Sequence, residues 1–118
     1  MSTLNNIIEA LGGLHDSRVI RLVWLPEGKS LEFQIEDFYS NFEGLPEYKG
    51  PLSGSLVFRG IEHIEFNLDT EEKHLNIYEV IISASPVRGL MAKVTFRPSG
   101  NIILHFNDAI YPKELSVT

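Results

Sequence analysis

The sequence predicts a mainly β fold: an antiparallel meander sheet of six to eight strands, curled into a half-barrel or sandwich, with one short N-terminal helix. Three observations predict it. From Ser17 onward the apolar period changes from about 3.6 residues to about 2. Turn residues such as Glu27-Gly28 and Pro98-Ser99-Gly100 interrupt the alternation at short intervals. Helical spacing occurs only at the start, in Leu4, Ile7, Ile8 and Leu11. With 118 residues, 43% of them hydrophobic and 22% charged, the chain has the size and composition of one globular domain, 1–118.

The helix is expected over 3–11. Ser2 or Thr3 can cap it, and Gly12-Gly13 can end it in a left-handed turn. So short a helix is marginal alone and must pack on something. A β meander then spans 17–109. In its first strand Ile20, Leu22 and Trp24 share one face. Val19, Val23 and Leu25 make the other face apolar too, which predicts a central strand. Leu31, Phe33 and Ile35 alternate with Glu32, Gln34 and Glu36, as in a half-exposed strand. A two-residue turn at Glu27-Gly28 pairs Trp24 with Leu31, Leu22 with Phe33 and Ile20 with Ile35. It also sets Arg18 opposite Asp37 and Arg21 opposite Gln34.

Asn41 to Pro51 has no period and reads as a loop that Phe42, Leu45 and Tyr48 can tack down. Strands resume at Gly54. A straight run from Leu56 through Phe66 to Leu68 would bury Glu62 and raise its pKa, so a break at Gly60 that turns Glu62 outward is expected. A turn at Thr70 to Glu72 would pair Leu68 with Leu75. A bulge near Tyr78 or Glu79 reconciles Leu75 and Ile77 with Val80 and Ile82. In the last hairpin Leu90, Ala92, Val94 and Phe96 face Ile102, Leu104 and Phe106 across Pro98-Ser99-Gly100. That loop pairs Phe96 with Ile102, Val94 with Leu104 and Ala92 with Phe106. The tail, 111–118, is expected to be loosely held.

Net charge is −6, which argues against broad nucleic-acid binding. The acids cluster. Glu32, Glu36, Asp37, Glu43 and Glu47 lie between Lys29 and Lys49; Glu62, Glu65, Asp69, Glu71 and Glu72 lie between Arg59 and Lys73. Arg88, Lys93 and Arg97 fall in a stretch free of acids, from Val80 to Asn107. Clustered charge of this kind steers association with an oppositely charged partner. Without cysteine, disulfides and thiolate chemistry are excluded. The longest apolar run, Leu22 to Leu25, is far short of the ~20 residues a membrane helix needs. The N-terminus lacks a basic leader, so a cytoplasmic protein is expected.

Four histidines invite a metal hypothesis, but the expected pairing separates them. His63 and His74 lie about 20 Å apart, and His105 falls opposite Lys93, so no metal site is expected. His15-Asp16 has two readings. Both side chains can satisfy backbone groups at the helix-to-strand corner, with Asp16 pairing Arg18; alternatively, with Arg18 and Tyr48, they bind a ligand. Trp24, Tyr39, Phe42 and Tyr48 are core or pocket lining. There is no Gly-x-Ser-x-Gly elbow and no phosphate-binding glycine loop, so no catalytic residue and no cofactor is assigned.

LGGLHDSRV, a two-strand hairpin and LVFRGIEHIEF together resemble small bacterial β-meander proteins, among them immunity-type proteins of polymorphic toxin systems. The resemblance covers Leu11 to Leu68 and implies a domain that binds and does not catalyse. Three functions are therefore carried forward. The first is a non-enzymatic protein-binding domain of immunity or antitoxin type, docking a basic partner through Glu43, Glu47, Glu71 and Glu72. The second is a small-ligand binder or unrecognised enzyme with a pocket at His15, Asp16, Arg18 and Tyr48. The third is a module that self-associates, as a homodimer, through an unpaired edge at Ile102 to Phe106.

Overall fold

The computed structural model describes residues 3–48, 50–69, 75–86 and 88–115. Helix α1 (Thr3–Ala10) and a 3-10 turn (Gly12–Leu14) precede strands β1 (Arg18–Leu25), β2 (Ser30–Ile35), β3 (Gly54–Arg59), β4 (His63–Asn67), β5 (Leu75–Ala84), β6 (Leu90–Arg97), β7 (Asn101–Phe106) and β8 (Asp108–Ile110). Every strand pairing is antiparallel, in one sheet of order β4-β7-β6-β5-β1-β2-β3-β8. The expected fold class is the observed one.

Leu4, Ile7, Ile8 and Leu11 are all buried, which is why α1 forms despite its length. Gly12 (φ +68°) and Gly13 (φ +71°) take the left-handed conformation that ends it. The expected cap at Ser2 or Thr3 lies outside the described residues and side chains.

The β1–β2 hairpin has the expected register at Arg21, Leu22 and Trp24. A bulge between Val19 and Arg21 then slips it by one, so Val19 and not Ile20 faces Ile35. Ile20 is left 56% exposed. Arg18 consequently meets Glu36, at 3.7 Å, and not Asp37. β1 is central, yet β5 pairs with it only at Arg18 and Val19. β5 carries its expected bulge between Ile77 and Glu79.

The break at Gly60 (φ +66°) is also as expected: Ile61 is buried and Glu62 points outward. Beyond the break the pairing departs from expectation. β4 pairs with β7 and not with β5, so the Leu68–Leu75 pairing does not form; the turn assigned to 70–72 lies outside the described residues. The reason is a shared bend. β3 continues into β4 and β7 into β8, so the same two runs pair on both sides of it. At the bend Asn107 N–H donates to Arg59 C=O (2.9 Å) and Glu62 N–H to His105 C=O (3.0 Å). One edge of β5 belongs to β6, and Asp16 and Ser17 hydrogen-bond Ile77 on the other.

Within β6–β7 the connecting loop is centred one residue earlier than expected, since Phe96 N–H donates to Gly100 C=O at 2.9 Å. Ala92 thus faces Leu104 and Val94 faces Ile102. A slip of two residues keeps each side chain on its expected face. β7 has partners on both sides, so Ile102 to Phe106 is not an edge; the edges are β4 and β8. The tail from Tyr111, expected to be loose, turns at Lys113–Leu115 and buries Leu115; 116–118 are outside the described residues.

The curl brings β2 and β3 over β6 and β7. Phe33 stacks on Phe96 with centroids 6.5 Å apart, and Phe58 meets Phe106 edge-on at 4.8 Å. These rings belong to one buried cluster that also includes Leu4, Ile7 and Ile8 of α1.

Candidate functional site

Among the described residues polar side chains gather at the His15-Asp16 corner and at a second place on β4 and β7, and the first is the corner. Leu14 (φ +58°) and Asp16 (φ +68°) are non-glycine residues in the left-handed region, so the chain turns sharply there. Asp16 N–H donates to Ile77 C=O at 2.9 Å, His15 Nδ1–H donates to Tyr78 C=O at 2.8 Å, and the His15 and Tyr78 rings meet edge-on. His15 Nε2 lies 3.5 Å from Asp16 Oδ1. The structural reading of this corner is met only in part: the His15 side chain satisfies a backbone carbonyl, whereas the Asp16 carboxylate lies against His15 and Arg18 meets Glu36.

Beside the corner lies an open cleft of about 610 Å³, lined by Asp16, Arg18, Glu36, Ser40, Asn41, Glu43 and Gly44. Neither His15 nor Tyr48 lines it. Tyr48 instead donates its hydroxyl to Asp37 Oδ2 at 2.7 Å. The other oxygen of that buried carboxylate accepts the N–H groups of Tyr39 and Leu52, each at 2.9 Å. Asp37 therefore ties both ends of the loop together, and the hydroxyl of buried Ser17 fixes its carbonyl at 3.1 Å. The carboxylate also pushes the Tyr48 phenol up to about 12. Of the other expected pins, Phe42 packs on the core and Leu45 is exposed.

The acidic blocks are partly spent on the fold. Glu32 accepts from the Ser55 hydroxyl, Glu36 pairs with Arg18, and Glu62 pairs with Arg88. Glu43 and Glu47 are exposed and have no side-chain partner among the described residues. Glu71 and Glu72 lie outside the described residues, as does His74.

The second place was not legible in the sequence. His63 faces His105 across β4–β7 with ring centroids 5.6 Å apart, whereas the expected hairpin register set His105 opposite Lys93. Met91 is its actual β6 partner. The β5–β6 connection brings Ser85 Oγ within 3.0 Å of His105 Nδ1 and sets the Arg88 guanidinium on Glu62. These five residues line a pocket of about 240 Å³. The Arg88 pair holds the Glu62 carboxyl below its usual range, the opposite of the rise that burial would have caused. The only available signal was outer-face parity, which His63 and His105 share; nothing local selects β4–β7 pairing.

Among the described residues, no group of three or more His, Cys, Asp or Glu side chains is arranged to hold a metal ion. Nor is any helix among them long and apolar enough to cross a membrane. No family model matches the chain, and no curated protein matches it.

Proposed function

We propose that this chain is a non-enzymatic protein-binding domain of immunity or antitoxin type, acting in the cytoplasm. It docks a basic partner on the face made by the His15-Asp16 corner and the loop that follows Asp37. The observation that carries this reading is the charge of the open cleft, where Asp16, Glu36 and Glu43 outnumber Arg18. Glu43 and Glu47 extend the same sign along the loop; Glu71 and Glu72, the other two acids expected to dock the partner, lie outside the described residues. Three further features support it. The loop is tied at both ends through Asp37, so its acids are presented without a large ordering cost. The cleft is open and lined mainly by polar residues, whereas small-molecule sites are concave and mostly apolar. The immunity assignment rests on the resemblance over Leu11 to Leu68.

The test is affinity capture from host lysate with the wild-type chain and the double variant Glu43→Lys, Glu47→Lys. The expected result is one stoichiometric basic protein with the wild type and about tenfold slower association with the variant at low salt. The rate difference should shrink as salt rises. Equal association of the same protein with both chains overturns the docking face. Recovery of the bait alone overturns the binding reading.

A further inference from the structure

We propose that the pocket formed by Glu62, His63, Ser85, Arg88 and His105 takes up a small tetrahedral oxyanion, inorganic phosphate or a short phosphomonoester, together with a proton on the imidazole pair. The site shares no residue with the acidic cleft and does not depend on the docking reading.

Three distant stretches converge on it. β4 supplies His63, β7 supplies His105 directly opposite, and the β5–β6 connection supplies Ser85 and Arg88. Its volume, about 240 Å³, lies below the ~300–1,000 Å³ of pockets for larger ligands, so the occupant is small. Its polar groups are a guanidinium and two imidazoles against one carboxylate, with Ser85 Oγ already hydrogen-bonded to His105 Nδ1 at 3.0 Å. Glu62 engages Arg88 through a single terminal nitrogen. That contact holds the guanidinium at the pocket and leaves most of its N–H groups for a ligand. Donors approaching from the sheet and from the loop suit the diverging oxygens of a tetrahedral anion better than a planar carboxylate.

Charge explains the coupled proton. Glu62 and Glu65 carry negative charge here: Glu65 Oε1 lies 3.8 Å from His63 Nε2, and Arg88 and Lys29 both act on Glu62. On β6, Met91 faces His105, with Lys93 one position further along that face. Arg88 and Lys29 therefore only balance the two carboxylates, and an anion gains a favourable field when the imidazoles are charged. A protonated imidazole at His63 or His105 adds that charge beside the anion, so anion and proton bind together.

The experiment titrates the full chain with sodium sulfate, whose charge is constant over this range, at fixed ionic strength. Imidazole ring NMR signals of His63 and His105 are the readout. Saturable shifts are expected, about tenfold tighter at about pH 6 than at pH 8. Arg88→Gln, a change at an exposed side chain, should weaken binding about tenfold. His105→Asn should reduce the pH dependence, with the amide spectrum confirming the fold. Phosphate should bind like sulfate, and glycerol phosphate more tightly if the natural source is an ester. A response that does not saturate, is untouched by Arg88→Gln, is independent of pH or is matched by acetate overturns the proposal.

Discussion

Asp37 carries more of the local structure than any other polar side chain described. It is buried, and two backbone N–H groups and one phenol converge on its carboxylate. Asp37→Ala strands those donors and should cost about 3 kcal/mol in urea unfolding. Tyr48→Phe removes one donor and should lower the melting temperature by less. Tyr48 also carries a pH signature. Its phenol is pushed up to about 12, so the stability from the neutral form is complete below the ordinary value of 10.0 and is lost as pH rises through the raised one. In an ultraviolet titration, one tyrosine should ionise near 12 in the wild type and be missing from Tyr48→Phe. Asp108 behaves in the opposite sense. Hydrogen bonds from Arg59 at 2.7 and 2.9 Å hold its carboxyl below the usual range. That stability is present above about pH 4 and is lost as pH falls through the depressed value. Asp108→Asn should flatten this acid limb in melting curves recorded against pH.

Among the elements, the bend joining β3 to β4 has the clearest local cause. Gly60 sits at φ +66°, and a Cβ there would lie 2.5 Å from the Asn107 side-chain Nδ2 and 2.9 Å from its Cβ. Gly60→Ala should therefore cost about 2 kcal/mol in chemical denaturation, from the left-handed backbone and the crowding together. A loss below ~0.5 kcal/mol would mean that the bend relaxes freely. The element scale is also where local reasoning met its limit. The bulge near Tyr78 and the break at Gly60 were readable because apolar parity changes or a polar residue intrudes. The bulge at Ile20 was not, because both faces of β1 are apolar and a slip of one residue leaves the pattern equally plausible.

For the whole molecule, stability depends on rings that are far apart in sequence. Phe58 touches both Phe33 and Phe106 and has no exposure to solvent. Phe58→Ala should cost about 4 kcal/mol, a large share of the ~5–15 kcal/mol typical of a domain. Urea unfolding measures it, and a loss under ~2 kcal/mol would show that the curled halves repack around the gap. By contrast, Glu43→Lys with Glu47→Lys should leave the midpoint within about 0.5 kcal/mol of wild type, because these exposed acids make no side-chain hydrogen bond or ion pair among the described residues.

By itself the sequence determined the antiparallel β class, the single opening helix, the inward faces of β2, β3, β5, β6 and β7, and the position of the His15-Asp16 corner, but not the inward faces of β1, where Ile20 is turned out, or β4, where Phe66 is exposed. What it did determine comes from period, parity and turn chemistry, which act over a few residues. Tertiary structure alone decided that β4 joins β7, that Asp37 is a buried knot and not a partner of Arg18, and that His63 and His105 meet in a pocket. Those outcomes depend on which distant edges pair once the sheet curls. The choice is made by the summed burial of a core drawn from the whole chain, and no local spacing encodes it.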